Sequence, residues 1–283
     1  MGEIAVPGET IGRFRLEELL GEGAAGVVFG ARDEHGRRVA LKLLRPEFSE
    51  DAVMVARFER EARLARELGT PHVVPILELG RSDSLTYLAM PYYTGGSLAQ
   101  RLRAVGPLGL HETVELAAQL GRGLDALHAR GVLHRDVKPS NVLLDGEGAA
   151  ALADFGLARG ADSTRLTADG QLLGTPHYLA PELIEGSEAT RQSDVYALGC
   201  VLYKCVAGEP PFAGRGAAEI GFAHLAEAPP DPRERRPELS EDVSNALLAA
   251  LEKDPAARPT TATALARMLA TGHSASGQRG SGA

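Results

Sequence analysis

The hydrophobic pattern changes its period between the first third of the chain and the remainder. Residues 14–45 carry short apolar runs separated by Gly, Asp and His-Gly turn signals, which is typical of a small antiparallel sheet. From Ser49 to Leu68 apolar residues recur at helical spacing, and strand-like runs return in VVPILELG and LTYLAMPYY. After TGGSL, long segments have helical spacing. The sequence therefore predicts an α+β fold with a small β-rich lobe that holds one long helix, and a larger, mainly helical lobe.

The change of pattern falls in PYYTGG and sets the expected domain boundaries. We expect a β-rich lobe over residues 14–93 and a helical lobe over residues 94–270. The small polar residues of 271–283 predict a flexible tail or linker. Two lobes joined by a linker form a cleft, and clefts at such junctions are where ligands most often bind.

Composition excludes several classes of protein. The formal net charge of −8 argues against nucleic acid as a partner, because phosphate binding requires a basic surface. The N-terminus lacks the basic and apolar regions of a signal peptide, and no apolar run reaches the length of a membrane span. Cys200 and Cys205 are spaced so that helical side chains point apart, so we expect no disulfide. These features predict a cytoplasmic chain without a membrane segment.

A glycine-rich segment, LGEGAAGVV, lies between two predicted strands. Gly21, Gly23 and Gly26 have the G-x-G-x-x-G spacing, but a strand follows them, whereas a dinucleotide-binding fold would place a helix there. We interpret Leu20 to Val28 as a glycine flap whose backbone can approach a polyphosphate. A plain glycine-rich hairpin is the alternative.

Lys42, in the strand VALK, favours the phosphate interpretation. A lysine among apolar neighbours needs a partner, because a buried unpaired charge is costly. A phosphate and a carboxylate together would serve. The following helix offers Glu59, Glu61 and Glu67, and Glu61 shares a helical face with buried-type residues, which favours it.

The loop HRDVKPSN, residues 134–141, concentrates polar side chains between two apolar runs. Asp136 is placed to accept a hydroxyl proton, Lys138 to neutralise phosphate charge, and Asn141 to offer an oxygen to a hard cation. DFG follows after a predicted hairpin, which would return Asp154 to Asn141. If either motif, HRDVKPSN or DFG, is considered alone, the alternative is that the two segments are unrelated turns.

The motifs GEGAAGVV, VALK, HRDVKPSN, DFGLA, GTPHYLAPE, SDVYALG and KDPAARPT occur in this order. From Phe14 to Ala270 the chain resembles the eukaryotic-like (Hanks-type) protein kinases, and the bacterial serine/threonine branch in particular. The resemblance implies the bilobal protein-kinase fold and transfer of the ATP γ-phosphate to Ser or Thr hydroxyls of proteins, with ATP and Mg²⁺ as cofactors and Mn²⁺ as an alternative.

The resemblance also implies roles for single residues. Asp136 would be the catalytic base, assisted by Lys138 and by Lys42 paired with Glu61, and Asn141 and Asp154 would bind the metal. Met90 would be the gatekeeper, next to a hinge at residues 91–93. The ATP-binding residues would be Leu20, Gly21, Glu22, Gly23, Ala24, Ala25, Gly26, Val28, Ala40, Lys42, Met90, Tyr92 and Leu143.

The segment from Asp154 to Glu182 would be the activation segment. Thr167 and then Thr164 are the expected autophosphorylation sites, because Arg135 implies a pocket for a negative charge. Thr175 would contact the catalytic residues on the substrate side. By resemblance, Glu182 would pair with Arg258 and Asp194 would bind the backbone of the HRDVKPSN loop.

Two other classes of function compete with an active protein kinase. A pseudokinase scaffold is disfavoured because Lys42, Asp136, Asn141 and Asp154 are all present. A small-molecule phosphotransferase is disfavoured by the complete GTPHYLAPE segment, which builds a peptide platform in the family. The family also allows a homodimer that autophosphorylates in trans, and a parent protein in which this chain is the cytoplasmic portion of a larger membrane receptor.

Overall fold

The structure is a computed structural model that describes residues 4–23, 26–49, 51–82, 85–155 and 176–280. Contacts between residues divide the chain into two units, Met1–Thr94 and Gly95–Ala283. The boundary expected from the sequence lies one residue earlier, between residues 93 and 94.

The first unit is built on an antiparallel sheet. In its described part, six strands are ordered β1-β2-β3-β4-β6-β5. The strands are β1 Thr10–Ile11, β2 Phe14–Glu22, β3 Gly26–Arg32, β4 Arg38–Leu44, β5 Glu78–Ser82 and β6 Leu85–Pro91. Helices α1 Pro46–Ser49 and α2 Ala52–Glu67 connect β4 to β5. This arrangement confirms the predicted β-rich lobe with one long helix.

Alternation along β4 gives the sheet two different faces. Val39, Leu41 and Leu43 are buried in one hydrophobic cluster with residues of β2, β3 and β6. Because successive side chains of a strand point to opposite faces, Ala40 and Lys42 lie on the other side of the sheet. The sheet therefore has a core face and a second face that carries Lys42.

The second unit is mainly helical and packs around α6. That helix is buried along almost its whole length, from Ser193 to Ala207, as its apolar sequence predicts. The helices are α3 Leu98–Val105, α4 Leu110–Ala129, α5 Pro181–Ile184, α6 Arg191–Ala207, α7 Ala217–Ala226, α8 Glu241–Ala250 and α9 Ala262–Gly280. The short strands β7 Val142–Leu144 and β8 Ala150–Leu152 form the predicted hairpin after the HRDVKPSN loop.

The end of the chain differs from the sequence prediction. Helix α9 continues through Gly280, so residues 271–280, which the composition predicts as flexible, are helical in the structure. Gly272 lies inside this helix and packs against the first turn of α8: an added Cβ would lie 2.9 Å from the backbone nitrogen of Val243. The glycine therefore permits a close contact between α9 and α8.

Candidate active site

Strand register places four of the predicted nucleotide residues of the first unit on one face of the sheet. Lys42 pairs with Val28 on β3 and with Leu88 on β6, while Ala40 pairs with Met90. Directly paired residues of an antiparallel sheet share a face. Val28, Ala40, Lys42 and Met90 therefore line the face opposite the hydrophobic core, and Lys42 is 6% exposed.

The glycine flap is closed by two backbone hydrogen bonds. Gly23 N–H donates to the Gly26 carbonyl at 2.9 Å, and Gly26 N–H donates to the Gly23 carbonyl at 3.4 Å. An added Cβ on Gly26 would overlap the carbonyl oxygen of Leu43, so β4 itself requires this glycine. Gly21 has open space around its missing Cβ, and Gly23 meets only a carbonyl at 3.9 Å. Among the residues that the structure describes, none fills the space beside these two glycines, which fits a polyphosphate that approaches the backbone.

The remaining predicted residues of the flap differ in exposure. Leu20 and Glu22 are exposed on β2, and Glu22 Oε1 accepts a hydrogen bond from Arg45 at 2.7 Å. Ala24 and Ala25 at the tip lie outside the described residues.

The helical register favours one of the three glutamates as the carboxylate partner of Lys42, but this pairing stays a prediction. Glu61 lies in α2, three residues after buried Phe58 and four before buried Ala65, but its side chain is outside the part of the chain that the structure describes. Glu59 and Glu67 are exposed. The helical register therefore agrees with the preference for Glu61.

In the second unit, the HRDVKPSN loop holds the Asp136 carboxylate with two donors. Lys138 Nζ lies 2.7 Å from Asp136 Oδ2, and Asn141 Nδ2 donates to the same oxygen at 2.8 Å. Asn141 Nδ2 also donates to the backbone carbonyl of Asp136 at 2.9 Å. The carboxylate is about one-third exposed, so it is fixed in orientation and still accessible.

Asp194 on α6 holds the backbone of the same loop. Its carboxylate accepts hydrogen bonds from the N–H groups of His134 at 2.9 Å and Arg135 at 2.8 Å. His128 Nε2 lies 2.8 Å from Asp194 Oδ2. Arg135 has φ +67°, a left-handed conformation that is costly for a residue with a Cβ. Asp194 therefore stabilises a strained backbone immediately before Asp136.

His128 is a supporting residue that sequence reasoning missed. It is buried in the last turn of α4, where it contacts an aspartate 66 positions away. The only signal in the sequence is a histidine that follows an apolar helix face, and that signal does not identify its partner.

His134 is a packing residue of the loop, as expected. It is fully buried, and its Nδ1 accepts a hydrogen bond from Asp136 N–H at 3.3 Å. Burial lowers the pKa of His134, although the carboxylates of Asp194, Asp136 and Asp154 act in the opposite direction. The imidazole is therefore neutral and shapes the loop without adding charge.

The hairpin β7–β8 brings the two predicted metal ligands together. Ala153 N–H donates to the Asn141 carbonyl at 2.8 Å, so Asp154 lies one residue beyond the backbone partner of Asn141. Asp154 has φ +58°, a second non-glycine residue in the left-handed region. Within the described ranges no group of three His, Cys, Asp or Glu could hold a metal. An amide oxygen and a carboxylate suit a hard cation that takes its other ligands from substrate and water.

Leu143, the last predicted ATP contact, is partly buried in β7 and forms a bridge with Ser97. Thr164, Thr167 and Thr175 lie outside the described residues.

The expected pair of Glu182 and Arg258 is present in the second unit. Arg258 Nη1 and Nη2 donate to the two Glu182 oxygens at 2.9 and 2.8 Å, and Ser193 Oγ donates to Oε1 at 2.7 Å. Burial by itself raises the pKa of Glu182, but these hydrogen bonds outweigh it and hold the pKa below its ordinary value.

In the part of the chain that the structure covers, none of the helices has the length and apolar character needed to cross a membrane.

Comparisons with known proteins identify the family. The protein kinase domain family matches residues 14–269. The chain is 40% identical over 266 residues to serine/threonine-protein kinase PknD of Mycobacterium tuberculosis, covering 93% of this chain and 40% of that protein. It is 41% identical over 255 residues to serine/threonine-protein kinase PknE of the same organism, covering 90% of this chain and 45% of that protein.

A solved structure gives the same result for the fold. The M. tuberculosis PknI kinase domain is 29% identical, with a TM-score of 0.73, over 95% of this chain and 99% of that chain. This chain spans less than half the length of the two curated relatives. The family match covers most of the residues and confirms the predicted fold and resemblance. The chain therefore belongs to the protein kinase domain family.

Proposed function

We propose that this chain is the catalytic domain of a serine/threonine protein kinase, which transfers the γ-phosphoryl group of ATP to Ser or Thr hydroxyls of proteins. The observation that carries the proposal is the Asp136 carboxylate, fixed by Lys138 and Asn141 in a loop whose strained backbone is held by Asp194. Family membership and the names of the curated relatives support the same activity.

Asp136 has the position required of a catalytic base. One of its oxygens is occupied by Lys138 and Asn141, which orients the carboxylate so that it can accept the proton of an incoming hydroxyl. Lys138 is partly exposed, and its ammonium group can turn from Asp136 to a transferring phosphoryl group and offset its charge. The chain's own contribution is thus orientation and electrostatics.

Asn141 and Asp154 are the residues that would hold a divalent cation, with Mg²⁺ preferred and Mn²⁺ as the alternative. The side-chain nitrogen of Asn141, Nδ2, donates to Asp136, so the side-chain oxygen Oδ1 of Asn141 is the atom available for a cation. Bound metal would neutralise charge on the phosphate oxygens. Lys42 would hold the α- and β-phosphates, with Glu61 as its carboxylate partner, while the backbone of the glycine flap covers the nucleotide.

Regulation through the activation segment is part of the proposal. Arg135 precedes the catalytic base and would bind a phosphate on Thr167 or Thr164, and Thr175 would contribute to the peptide platform. A homodimer that autophosphorylates in trans and a cytoplasmic location, alone or as part of a receptor, are further elements of the proposal.

The test compares three purified proteins: the native chain, Asp136→Asn and Asp145→Asn. Asp145 is a matched control, because its carboxylate also has two donors on one oxygen, in its case the backbone N–H groups of Glu147 and Ala149 in the exposed turn between β7 and β8. Each is incubated with radiolabelled ATP, Mg²⁺ and a generic protein substrate, and the labelled residues are mapped by mass spectrometry.

We expect Asp136→Asn to lower the rate by about 100-fold or more, because the proton acceptor is lost. Asp145→Asn should retain the native rate. Labelling that does not depend on Asp136, or no labelling of any protein by the native chain, would contradict the proposed activity. Labelling at Thr167 or Thr164 would support autophosphorylation.

A further inference from the structure

A polar cluster at one end of β4 joins residues of β2 and β4 to the segment that follows β6. We call Glu18, Arg38 and Tyr92 the hinge cluster. The Arg38 guanidinium carbon lies 3.9 Å from the centroid of the Tyr92 ring, and the Tyr92 hydroxyl donates to Glu18 Oε1 at 3.3 Å. Arg38 Nη2 donates to the same oxygen of Glu18. Each member of the hinge cluster therefore contacts the other two.

Sheet register explains why Arg38 and Tyr92 meet. Strands β4 and β6 pair Ala40 with Met90 and Val39 with Pro91, so Arg38 and Tyr92 are the residues next to the last pair of this ladder. Alternation along β4 places Arg38 on the same face as Ala40 and Lys42. The hinge cluster therefore borders the face that carries the proposed nucleotide residues, in the order Lys42, Ala40, Arg38.

Gly30 on β3 makes room for the hinge cluster. It pairs with Glu18 on one side and with Ala40 on the other. An added Cβ on Gly30 would lie 3.1 Å from Glu18 Cγ and 3.5 Å from Tyr92 Cε2. A side chain here would crowd Glu18 and would touch the Tyr92 ring at ordinary contact distance, so the glycine leaves room for Glu18 to reach over β3.

The charges around Arg38 hold its side chain from two directions. Arg38 is paired with Arg32 on β3, and like charges directly opposite each other are destabilising. A bulge in β2 between Leu16 and Glu18 supplies the compensating charge, because Glu17 pairs with Arg32 at 2.6 Å and with Arg38 at 3.6 Å. The guanidinium is therefore fixed above the tyrosine ring by two carboxylates.

We propose that the hinge cluster is a positioning element for the nucleotide. By holding the Tyr92 ring, it fixes the backbone of Tyr92 and Tyr93, which follows the last ladder pair, Val39 with Pro91, and belongs to the segment expected to meet the adenine. An ordered segment loses less conformational entropy when a ligand binds, so Arg38 and Glu18 raise the affinity without contacting the nucleotide themselves. This inference rests on the proposed function, because it assigns the hinge to ATP.

The kinetic test uses Arg38→Met and Tyr92→Leu. We expect each to raise the KM for ATP by about fivefold, the fold-change for loss of one exposed cation–π contact, with kcat changed by less than about twofold. Tyr92→Phe keeps the ring beneath Arg38 and loses only the hydroxyl, so its KM should lie closer to the native value. Two independent variants keep the test decisive if one of them does not fold.

Arg13→Met is the matched control. Arg13 is in the same unit, lies 5.0 Å from the centroid of the Phe14 ring and pairs with Glu34 and Glu78. The Arg13→Met variant therefore loses a cation–π contact and ion pairs of the same kinds away from the hinge cluster, and we expect its KM for ATP to equal the native value.

A second readout needs no catalytic activity. Hydrogen–deuterium exchange without nucleotide should be faster at the amides of residues 92–94 in Arg38→Met and Tyr92→Leu than in the native chain, and unchanged there in Arg13→Met. If the native chain failed to bind ATP, the proposed function would be wrong, and exchange would still decide whether the hinge cluster orders the hinge. Native exchange in both cluster variants, an equal change in Arg13→Met, or a loss confined to kcat would overturn the inference.

Discussion

Among single residues, His224 shows how burial fixes a protonation state in the second unit. Its side chain is fully buried, and the Tyr196 hydroxyl lies 2.7 Å from Nδ1. Burial is the main cause that lowers the pKa of His224 to about 3, with further contributions from the charges of Lys253 and His177. The neutral ring shares a hydrogen bond with the tyrosine hydroxyl inside the helical core.

This lowered pKa predicts a pH dependence of stability. Between pH 6.5 and about 3 the unfolded chain binds a proton at His224 and the folded chain does not, so the free energy of unfolding falls as the pH falls. The slope from this group is about 1.4 kcal/mol per pH unit. His224→Asn cannot titrate in this range, and its amide can still form a hydrogen bond with the Tyr196 hydroxyl. When urea unfolding is measured across this pH window, the free energy of unfolding should depend less steeply on pH in the variant than in the native chain. Parallel pH dependences of the two proteins would contradict the prediction.

At the scale of elements, the hairpin of β2 and β3 separates two uses of glycine. Gly26 is required by the fold, because a Cβ would overlap the Leu43 carbonyl of the neighbouring strand. Gly23 is not required by the described neighbours, since only a carbonyl lies within 4 Å of its missing Cβ. The same residue type therefore serves strand packing at one position and ligand access at another.

The two glycines predict opposite phenotypes. Gly26→Ala should lower the free energy of unfolding by about 2 kcal/mol or more, because β3 and β4 must move apart. Gly23→Ala should change stability by less than about 0.5 kcal/mol and raise the KM for ATP, because its methyl group enters the space assigned to phosphate. Urea unfolding and ATP kinetics measure both quantities. If the two variants had equal free energies of unfolding, the backbone of β3 and β4 would have adjusted to the added methyl group, and the prediction for Gly26 would be wrong.

For the molecule as a whole, the pair of Glu182 and Arg258 connects segments 76 positions apart within the second unit. Arg258 also donates to the backbone carbonyls of Glu252, Gln192 and Lys253. The guanidinium therefore ties α5 to the start of α6 and to the segment that follows α8.

Breaking this buried pair should cost much more than breaking an exposed one. We expect Arg258→Met to lower the free energy of unfolding by about 3–5 kcal/mol, because the Glu182 charge stays buried without its partner. Arg233→Met is the control, since its pair with Asp231 is partly open to solvent, with the side chains 39% and 29% exposed, and breaking it should cost less than about 1 kcal/mol.

A double-mutant cycle with Glu182→Gln isolates the coupling between the two side chains. Additive losses would show that Arg258 acts only through the backbone carbonyls. The lowered pKa of Glu182 also predicts how stability depends on pH. The pair's contribution to the free energy of unfolding is fully present above the ordinary pKa of a glutamate and is lost as the pH falls through the lowered pKa.

Much of the fold was predictable because its signals are local. Hydrophobic period identified the strands of residues 14–45, the helix before residue 68, the β7–β8 hairpin and the buried helix α6. The order of the motifs is sufficient to indicate the family, because each motif is a short local pattern. The roles of the site residues, from Lys42, Glu61, Asp136, Asn141 and Asp154 to Thr164, Thr167 and Thr175, remain predictions.

By itself, then, the sequence determined the fold class, the order of the elements and the polar residues of the HRDVKPSN loop, because periodicity and short motifs depend on neighbouring residues. Only the tertiary structure decided that His128 meets Asp194, that Arg38 covers Tyr92, and that Gly272 packs on α8. Those contacts join residues far apart in the chain. Their partners are selected by register and packing, which no local pattern records.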